Sequence, residues 1–108
     1  MRTTRAPRVP VTLVVARRGA RGEPLRAEDL STSGLFLCCE EPYTVGTALD
    51  LAVGLPWGER LQLEGRVVRV GPGASGHVGM GVMFVRLDAA AEAALGRFVE
   101  QRLAAVAC

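Results

Sequence analysis

The 108-residue sequence predicts an all-β fold with one helix, namely a small antiparallel β-barrel followed by a C-terminal α-helix. Short apolar segments with a two-residue period recur about every ten residues between turn-forming residues, which is typical of small barrels. Only the last segment has the 3.6-residue period of a helix. Aromatic residues supply 5% of the chain and 13 glycines supply turns. The core is therefore built mainly of valine, leucine and alanine.

The first predicted strand covers residues 9–16, in which every odd position is apolar and mostly β-branched. Pro10 near its start indicates a strand end or a sheet edge. Gly79 and Gly81 lie in the last predicted strand, where a barrel has to bend. The five later strands are predicted at 23–30, 35–39, 47–53, 61–70 and 77–87, and the third of the six is continuously apolar.

The end of the chain is predicted to be helical over residues 89–106, with Asp88 as a suitable N-cap. One face of this helix carries a stripe at helical spacing. The stripe consists of Ala91, Ala94, Leu95, Phe98, Val99, Arg102 and Leu103. Residues 1–8 are predicted to form a flexible, arginine-rich arm, and residues 9–108 a single domain, since a chain of this length supports one core.

The charge and the cysteines limit the class of protein. All 13 basic residues are arginine. Residues 1–26 contain seven of them and only one acidic residue. Such a concentration of guanidinium groups favours an anionic partner. Three cysteines, two of them adjacent, favour a reduced, cytoplasmic protein over a disulfide framework. No segment approaches the ~20 apolar residues of a membrane span.

Catalytic and metal-binding residues are not predicted. His77 is the single histidine, at the edge of a glycine-rich loop, and such a residue is more often solvated than a general base. Cys38 and Cys39 lack the separation with which two thiolates share a zinc ion, and core packing is the role expected for both. We expect a protein that is not an enzyme and has no cofactor.

Two features point to a ligand site. The arm carries Arg5 and Arg8 immediately before the first strand, and Asp29, Ser31 and Gly34 occupy the turn after the second strand. If these strands pair antiparallel, the arm and the turn meet at one end of the sheet. A guanidinium binds phosphate or stacks on a purine, and a carboxylate and a hydroxyl accept from a base edge. Glycine is expected to accept positive φ in the turn and to allow close approach of a ligand.

Five stretches, spread over nearly the whole chain, resemble the PilZ domain family: Arg8-Val9-Pro10-Val11, Asp29-Leu30-Ser31-x-Ser33-Gly34-Leu35-Phe36-Leu37, Gly46-Thr47-x-Leu49, Leu61-x-Leu63-x-Gly65-x-Val67-Val68 and Gly79-x-Gly81-Val82-x-Phe84. This resemblance implies a six-stranded β-barrel with a C-terminal helix that binds cyclic di-GMP. It implies that Asp29 and Ser31 grip a guanine and that two arginines of an R-x-x-x-R motif hold phosphates and stack on bases.

The arginine motif departs from the family pattern. Arg8 matches its second arginine, but Thr4 stands four residues earlier and Arg5 only three. Another R-x-x-x-R, at residues 17–21, follows the first strand and lies ~25 Å from the Asp29 turn at ~3.3 Å per residue. We therefore exclude it and predict Arg5, Arg8, Asp29, Ser31 and Gly34 as ligand-binding residues.

Two hypotheses for function follow. The first is a stand-alone cyclic di-GMP effector that relays the nucleotide signal to a protein partner, which the sequence does not identify. The alternative is a PilZ-like interaction module that has lost the nucleotide and acts in motility or polarity. Nucleic-acid binding is disfavoured because the strands expose almost no aromatic residues. Trp57, in a predicted hairpin loop, either faces a partner or folds over a barrel end.

Overall fold

The computed structural model describes residues 7–17 and 23–107. Most of the predicted arm, including Arg5, lies outside the described residues, as do residues 18–22 and Cys108. Six strands and one helix are present: β1 (Val9–Arg17), β2 (Leu25–Leu30), β3 (Gly34–Cys38), β4 (Ala48–Gly54), β5 (Arg60–Pro72), β6 (Val78–Arg86) and α1 (Ala89–Ala107).

All strand pairs are antiparallel, and they form a closed barrel in the order β1-β2-β3-β6-β5-β4. Strand β4 pairs with β1 and closes the barrel through three residue pairs, the first of which is Val15 and Val53. The predicted fold class is confirmed, and the six strands and the helix begin and end within two residues of the predicted positions. Two of the strand pairs join strands that are not consecutive in the sequence. One is the pair of β1 and β4 that closes the barrel, and the other is the pair of β3 and β6.

The barrel interior is filled by aliphatic side chains because each strand presents alternate residues inward. Strand β1 shows this most clearly, since Val9, Val11, Leu13 and Val15 are buried and the residues between them are exposed. The apolar stripe of α1 covers the barrel, with Ala91, Ala94, Leu95, Phe98 and Val99 buried.

The helix begins as predicted. The Oδ1 of Asp88 accepts a hydrogen bond from the backbone N–H of Ala91 at 2.7 Å, which satisfies one of the free donors of the first turn. At the other end of the stripe, Arg102 places its guanidinium over the ring of Phe98, 5.1 Å from the centroid, and Leu103 is partly exposed.

Strand β3 differs from its predicted character. Leu35 and Leu37 belong to the barrel core, whereas the alternate residues Phe36 and Cys38 point to the outer face. Cys38 is half-buried, receives a hydrogen bond from Arg26 and donates one to a carboxylate, so its predicted core-packing role is wrong. Cys39 does pack against the core. The apolar run is continuous because the outer face at Phe36 is itself covered.

Within residues 7–17 and 23–107, no helix has the length and apolar character that crossing a membrane requires. The same ranges contain no cluster of histidine, cysteine and acidic side chains suited to hold a metal ion.

Candidate functional site

Strand register brings Arg8 and Asp29 together. Pro10 of β1 pairs with Asp29 of β2, so the chain that enters β1 passes the end of β2. The Arg8 guanidinium donates from Nη1 to Oδ1 of Asp29 at 2.5 Å. The Arg8 side chain is 43% exposed and that of Asp29 is 21% exposed, so both are accessible to a ligand. Antiparallel pairing of the first two strands predicts this placement.

Ser31 lies in the turn after β2, where it is buried. Its Oγ accepts hydrogen bonds from the backbone N–H groups of Ser33 and Gly34, both at 3.1 Å, and donates to the Gly34 carbonyl at 3.3 Å. The Ser31 Oγ also lies 3.1 Å from the Ser33 Oγ, so contacts within the turn occupy the one donor and two acceptor positions of the hydroxyl. Ser31 therefore shapes the turn that follows Asp29.

Gly34 is required by strand packing. A Cβ at this position would lie 2.3 Å from the carbonyl oxygen of Val82, because β3 and β6 approach closely at the pair Gly34 and Met83. The prediction that Gly34 takes a positive φ is wrong, since the positive-φ glycines of the described chain lie elsewhere. The close approach that excludes a side chain here is that of a neighbouring strand.

A row of paired residues across four neighbouring strands, which we call a rung, extends the site beyond the predicted residues. Asp29 pairs with Phe36, Phe36 with Gly81, and Gly81 with Arg69, across β2, β3, β6 and β5. Gly81 has no side chain, so Arg69 crosses it and places its guanidinium 5.3 Å from the centroid of the Phe36 ring. Arg69 Nη1 also donates to the Pro72 carbonyl at 3.2 Å. Neither residue is among the site residues predicted from the sequence, although Phe36 lies in one of the stretches that resemble the PilZ family.

Arg8, Asp29 and Arg69 line one cavity of about 260 Å³, which we call the Arg8 cavity. Phe36 also lines it, and Gly73 is part of its wall. Two guanidinium groups against one carboxylate leave the cavity with a net positive charge, which favours an anion. Its volume is slightly below the ~300–1,000 Å³ of sites that enclose a small molecule.

A larger cavity of about 590 Å³ lies at the other end of β1, where Arg17, Glu23, Arg26 and Glu40 contribute to its lining. The charges of these four residues balance. Arg17 already donates to the Tyr43 hydroxyl at 3.0 Å and to the Glu23 carbonyl at 3.2 Å. The charge balance and the engaged guanidinium make this cavity a weaker anion site than the Arg8 cavity, despite its size.

The β5–β6 loop, residues 73–77, folds over the outer face of the barrel beside the site. The Glu28 carboxylate accepts hydrogen bonds from the N–H and the hydroxyl of Ser75, at 3.1 and 2.9 Å, and from the Cys38 thiol at 3.3 Å. Burial acts to raise the pKa of Glu28, but these hydrogen bonds and the nearby Arg26 outweigh it and lower the pKa. His77 is exposed and shares a hydrogen bond with Ser75, as expected of a loop residue.

A family assignment agrees with the strand order and the turn. The sequence model of the PilZ domain matches residues 2–101. The chain belongs to the PilZ domain family. No curated protein sequence matches this PilZ domain closely enough to count as a relative.

Solved structures share the fold at low sequence identity. This PilZ domain superimposes on the Bacillus subtilis inhibitor of motility MotI/DgrA with a TM-score of 0.81 and 17% identity, covering 95% of this chain and 52% of that one. For the PilZ domain of Escherichia coli YcgR with c-di-GMP, the TM-score is 0.72, the identity 13%, and the coverage 97% and 95%. For YcgR in complex with c-di-GMP, also from Escherichia coli, the values are 0.72, 15%, 91% and 45%.

The chain therefore spans about half the length of MotI/DgrA and of the longer YcgR structure. It spans nearly the whole of the isolated YcgR domain. At these identities the likeness establishes a shared fold.

Trp57 of this PilZ domain lies in the loop between β4 and β5. Its ring contacts Phe98 of α1, with 5.6 Å between ring centroids, and its Nε1 donates to Glu59 at 3.0 Å. It is still 47% exposed. Of the two roles considered for Trp57, the structure therefore shows packing against the helix that covers the barrel.

Proposed function

We propose that this PilZ domain is a non-catalytic cytoplasmic receptor for cyclic di-GMP that relays nucleotide binding to a protein partner. The observation that carries the proposal is the juxtaposition of Arg8 and Asp29 beside the net positive Arg8 cavity. The predicted site residue Arg5 belongs to the same proposal through its position in the sequence, three residues before Arg8.

The chemistry of the two side chains matches the two halves of the ligand. A guanidinium offers a fork of N–H donors to phosphate oxygens, and a carboxylate accepts from the adjacent ring N–H and amino group of guanine. Within the domain, Arg8 and Asp29 satisfy each other. A guanine nucleotide supplies a phosphate for the first and N–H donors for the second, so binding exchanges one ion pair for two charge-assisted contacts.

Ser31 and Gly34 have an indirect role in this proposal. They hold the turn so that Asp29 projects beside Arg8, and neither needs to touch the nucleotide. The solved PilZ domain of YcgR with c-di-GMP, which has the same fold, makes this ligand the first to test.

A ligand-free interaction module is the second candidate function. One observation favours it: the outer face of β5 and β6 exposes large apolar side chains, which often mark a protein contact surface. These are Val68, Val70, Met83 and Val85, each more than 40% exposed. The similarity to an inhibitor of motility suggests motility machinery as the place to look for a partner.

Isothermal titration calorimetry tests the first proposal against the second. The purified domain should bind cyclic di-GMP saturably and cyclic di-AMP much more weakly. Adenine lacks the adjacent ring N–H and amino group from which Asp29 accepts hydrogen bonds in guanine. Absence of binding to cyclic di-GMP at high micromolar concentration and low salt would reject the receptor and favour the interaction module.

A further inference from the structure

We propose that Arg69 supplies the second guanidinium of the nucleotide site, and that it does so by stacking on a guanine base. This inference rests on the proposed function and adds a residue to it. The sequence motif expected for this site has two arginines, and Thr4 stands at the position of the first. Arg69 lies 61 positions after Arg8, on a different strand, and still lines the same cavity.

Barrel topology places Arg69 there. The rung that joins Asp29, Phe36, Gly81 and Arg69 crosses four neighbouring strands. Neighbouring strands are ~4.8 Å apart, so Asp29 and Arg69 are separated by ~14 Å at the backbone. The Arg69 side chain spans part of that distance, because the glycine between it and Phe36 leaves its path open. Arg69 therefore lines the same cavity as Arg8 and Asp29.

The Arg69 guanidinium is held in place by two contacts within the domain. One contact is with the Phe36 ring, and the other is the hydrogen bond to the Pro72 carbonyl. Phe36 is only 2% exposed, and the backbone packs so closely on its ring that a Cβ at Gly73 or Gly79 would lie within 2.8 Å of it. A side chain fixed in this way loses little conformational entropy on binding.

The two arginines have different surroundings, which assigns them different tasks. Arg8 is paired with a carboxylate and exchanges that partner for a phosphate. Arg69 is exposed and has one side against an aromatic ring, so its opposite side is available to a purine. A planar guanidinium between an aromatic ring and a base forms a continuous stack, with cation–π attraction on both sides. We therefore place the base on Arg69 and the phosphate on Arg8.

Other described arginines are less suited. Arg17 lies at the far end of β1 and contacts Tyr43, Arg26 contacts Cys38, and Arg102 lies over Phe98. In residues 7–17 and 23–107, Arg8 and Arg69 are the arginines that line the Arg8 cavity.

Calorimetry of cyclic di-GMP binding to four single variants of the full chain tests this inference. Arg69→Ala should bind about tenfold more weakly than wild type. Arg69→Lys should remain within about threefold of Arg69→Ala, because lysine keeps the charge but has no plane to stack. Arg66→Ala, which removes an exposed arginine from the same strand, should bind like wild type. Relative to wild type, Arg5→Ala should reduce the affinity for cyclic di-GMP by less than Arg69→Ala does. Thermal unfolding of each variant shows that it is folded.

The outcomes separate the inference from the proposed function. If wild type binds and Arg69→Ala binds equally well, Arg69 has no part in the site and the receptor function stands. Full recovery of affinity in Arg69→Lys would overturn stacking, because charge alone would then suffice. A large loss in Arg5→Ala together with wild-type affinity in Arg69→Ala would assign the second guanidinium to the arm. Wild type that does not bind at all overturns the function and the inference together.

Discussion

The Arg8 guanidinium, one residue before β1, and the Asp29 carboxylate of β2 form an ion pair with 2.5 Å between Nη1 and Oδ1. Each residue belongs to a separate part of the sequence, and each is suited to a different part of a guanine nucleotide. Because the two groups neutralise each other, a ligand has to offer both a phosphate and N–H donors to replace the pair at low cost. Under the proposed function, a simple anion is therefore a weaker ligand than a guanine nucleotide, because it replaces only one member of the pair.

Arg8→Ala should weaken cyclic di-GMP binding by about 1.5–3 kcal/mol, or about tenfold to 150-fold, since it removes a charge-assisted contact to phosphate. Calorimetry at low salt measures the loss. Arg17→Ala is the matched control, because Arg17 lies at the opposite end of β1 and acts on the site only through screened, long-range attraction. An equal loss in both variants would mean that binding depends on overall charge and not on this site.

Asp29→Ala should abolish the preference for guanine. The ratio of the affinities for cyclic di-GMP and cyclic di-AMP should fall toward one, without a gain in the affinity for cyclic di-AMP, because the carboxylate that accepts from the guanine edge is gone. Parallel titrations of the two nucleotides measure the ratio. A variant that keeps the wild-type ratio would show that another group reads the base.

Gly34→Ala should destabilise the domain by about 1–3 kcal/mol, because its Cβ would lie 2.3 Å from the Val82 carbonyl oxygen and would force β3 away from β6. Urea unfolding measures the change. Gly96→Ala is the control, since Gly96 lies in α1 with no atom within 4 Å of the added Cβ. That substitution should stabilise the domain by about 0.5–1 kcal/mol. If the two variants have equal stability, the close approach of β3 and β6 does not matter.

Trp57→Ala should lower stability by about 1–3 kcal/mol through loss of the contact with Phe98. For a domain of this size, each kilocalorie lowers Tm by about 4–8 °C, which a thermal melt detects. Val45→Ala, at a more exposed position, should change stability by less than about 0.5 kcal/mol. A Trp57→Ala variant with wild-type Tm and impaired capture of a partner would assign Trp57 to an interaction surface.

Glu28→Gln should destabilise the folded state near neutral pH and have little effect in acid. The pKa of Glu28 in the fold is lowered from its ordinary value of 4.5, so the ionised carboxylate stabilises the folded state. That contribution is present above the ordinary pKa and is lost as pH falls through the lowered value. Urea unfolding measures it from neutral pH down to the most acidic pH at which the domain stays folded. Glu100→Gln is the control, because Glu100 is an exposed residue of the helix. A difference between Glu28→Gln and wild type that persists in acid would contradict the assignment.

The parts of the site that sequence predicts are those set by neighbours along the chain. Arg8 and Asp29 meet because β1 and β2 are consecutive strands that pair antiparallel, which is the commonest arrangement for strands joined by a short connection. The role of Ser31 in the turn is also set by neighbours along the chain, since its hydroxyl accepts hydrogen bonds from backbone N–H groups two and three residues later.

Sequence alone also determined that the chain has six strands and one helix, because the two-residue and 3.6-residue periods and the Asp88 cap are local properties. The tertiary structure alone decided that Arg69 joins Arg8 in one cavity, that Phe36 is buried on the outside of the barrel, and that Gly34 is required by a strand contact. All three depend on β3 pairing with β6, strands separated in the chain by β4 and β5. The physical reason is that barrel closure and the packing of the whole core set this register, and no short segment encodes it.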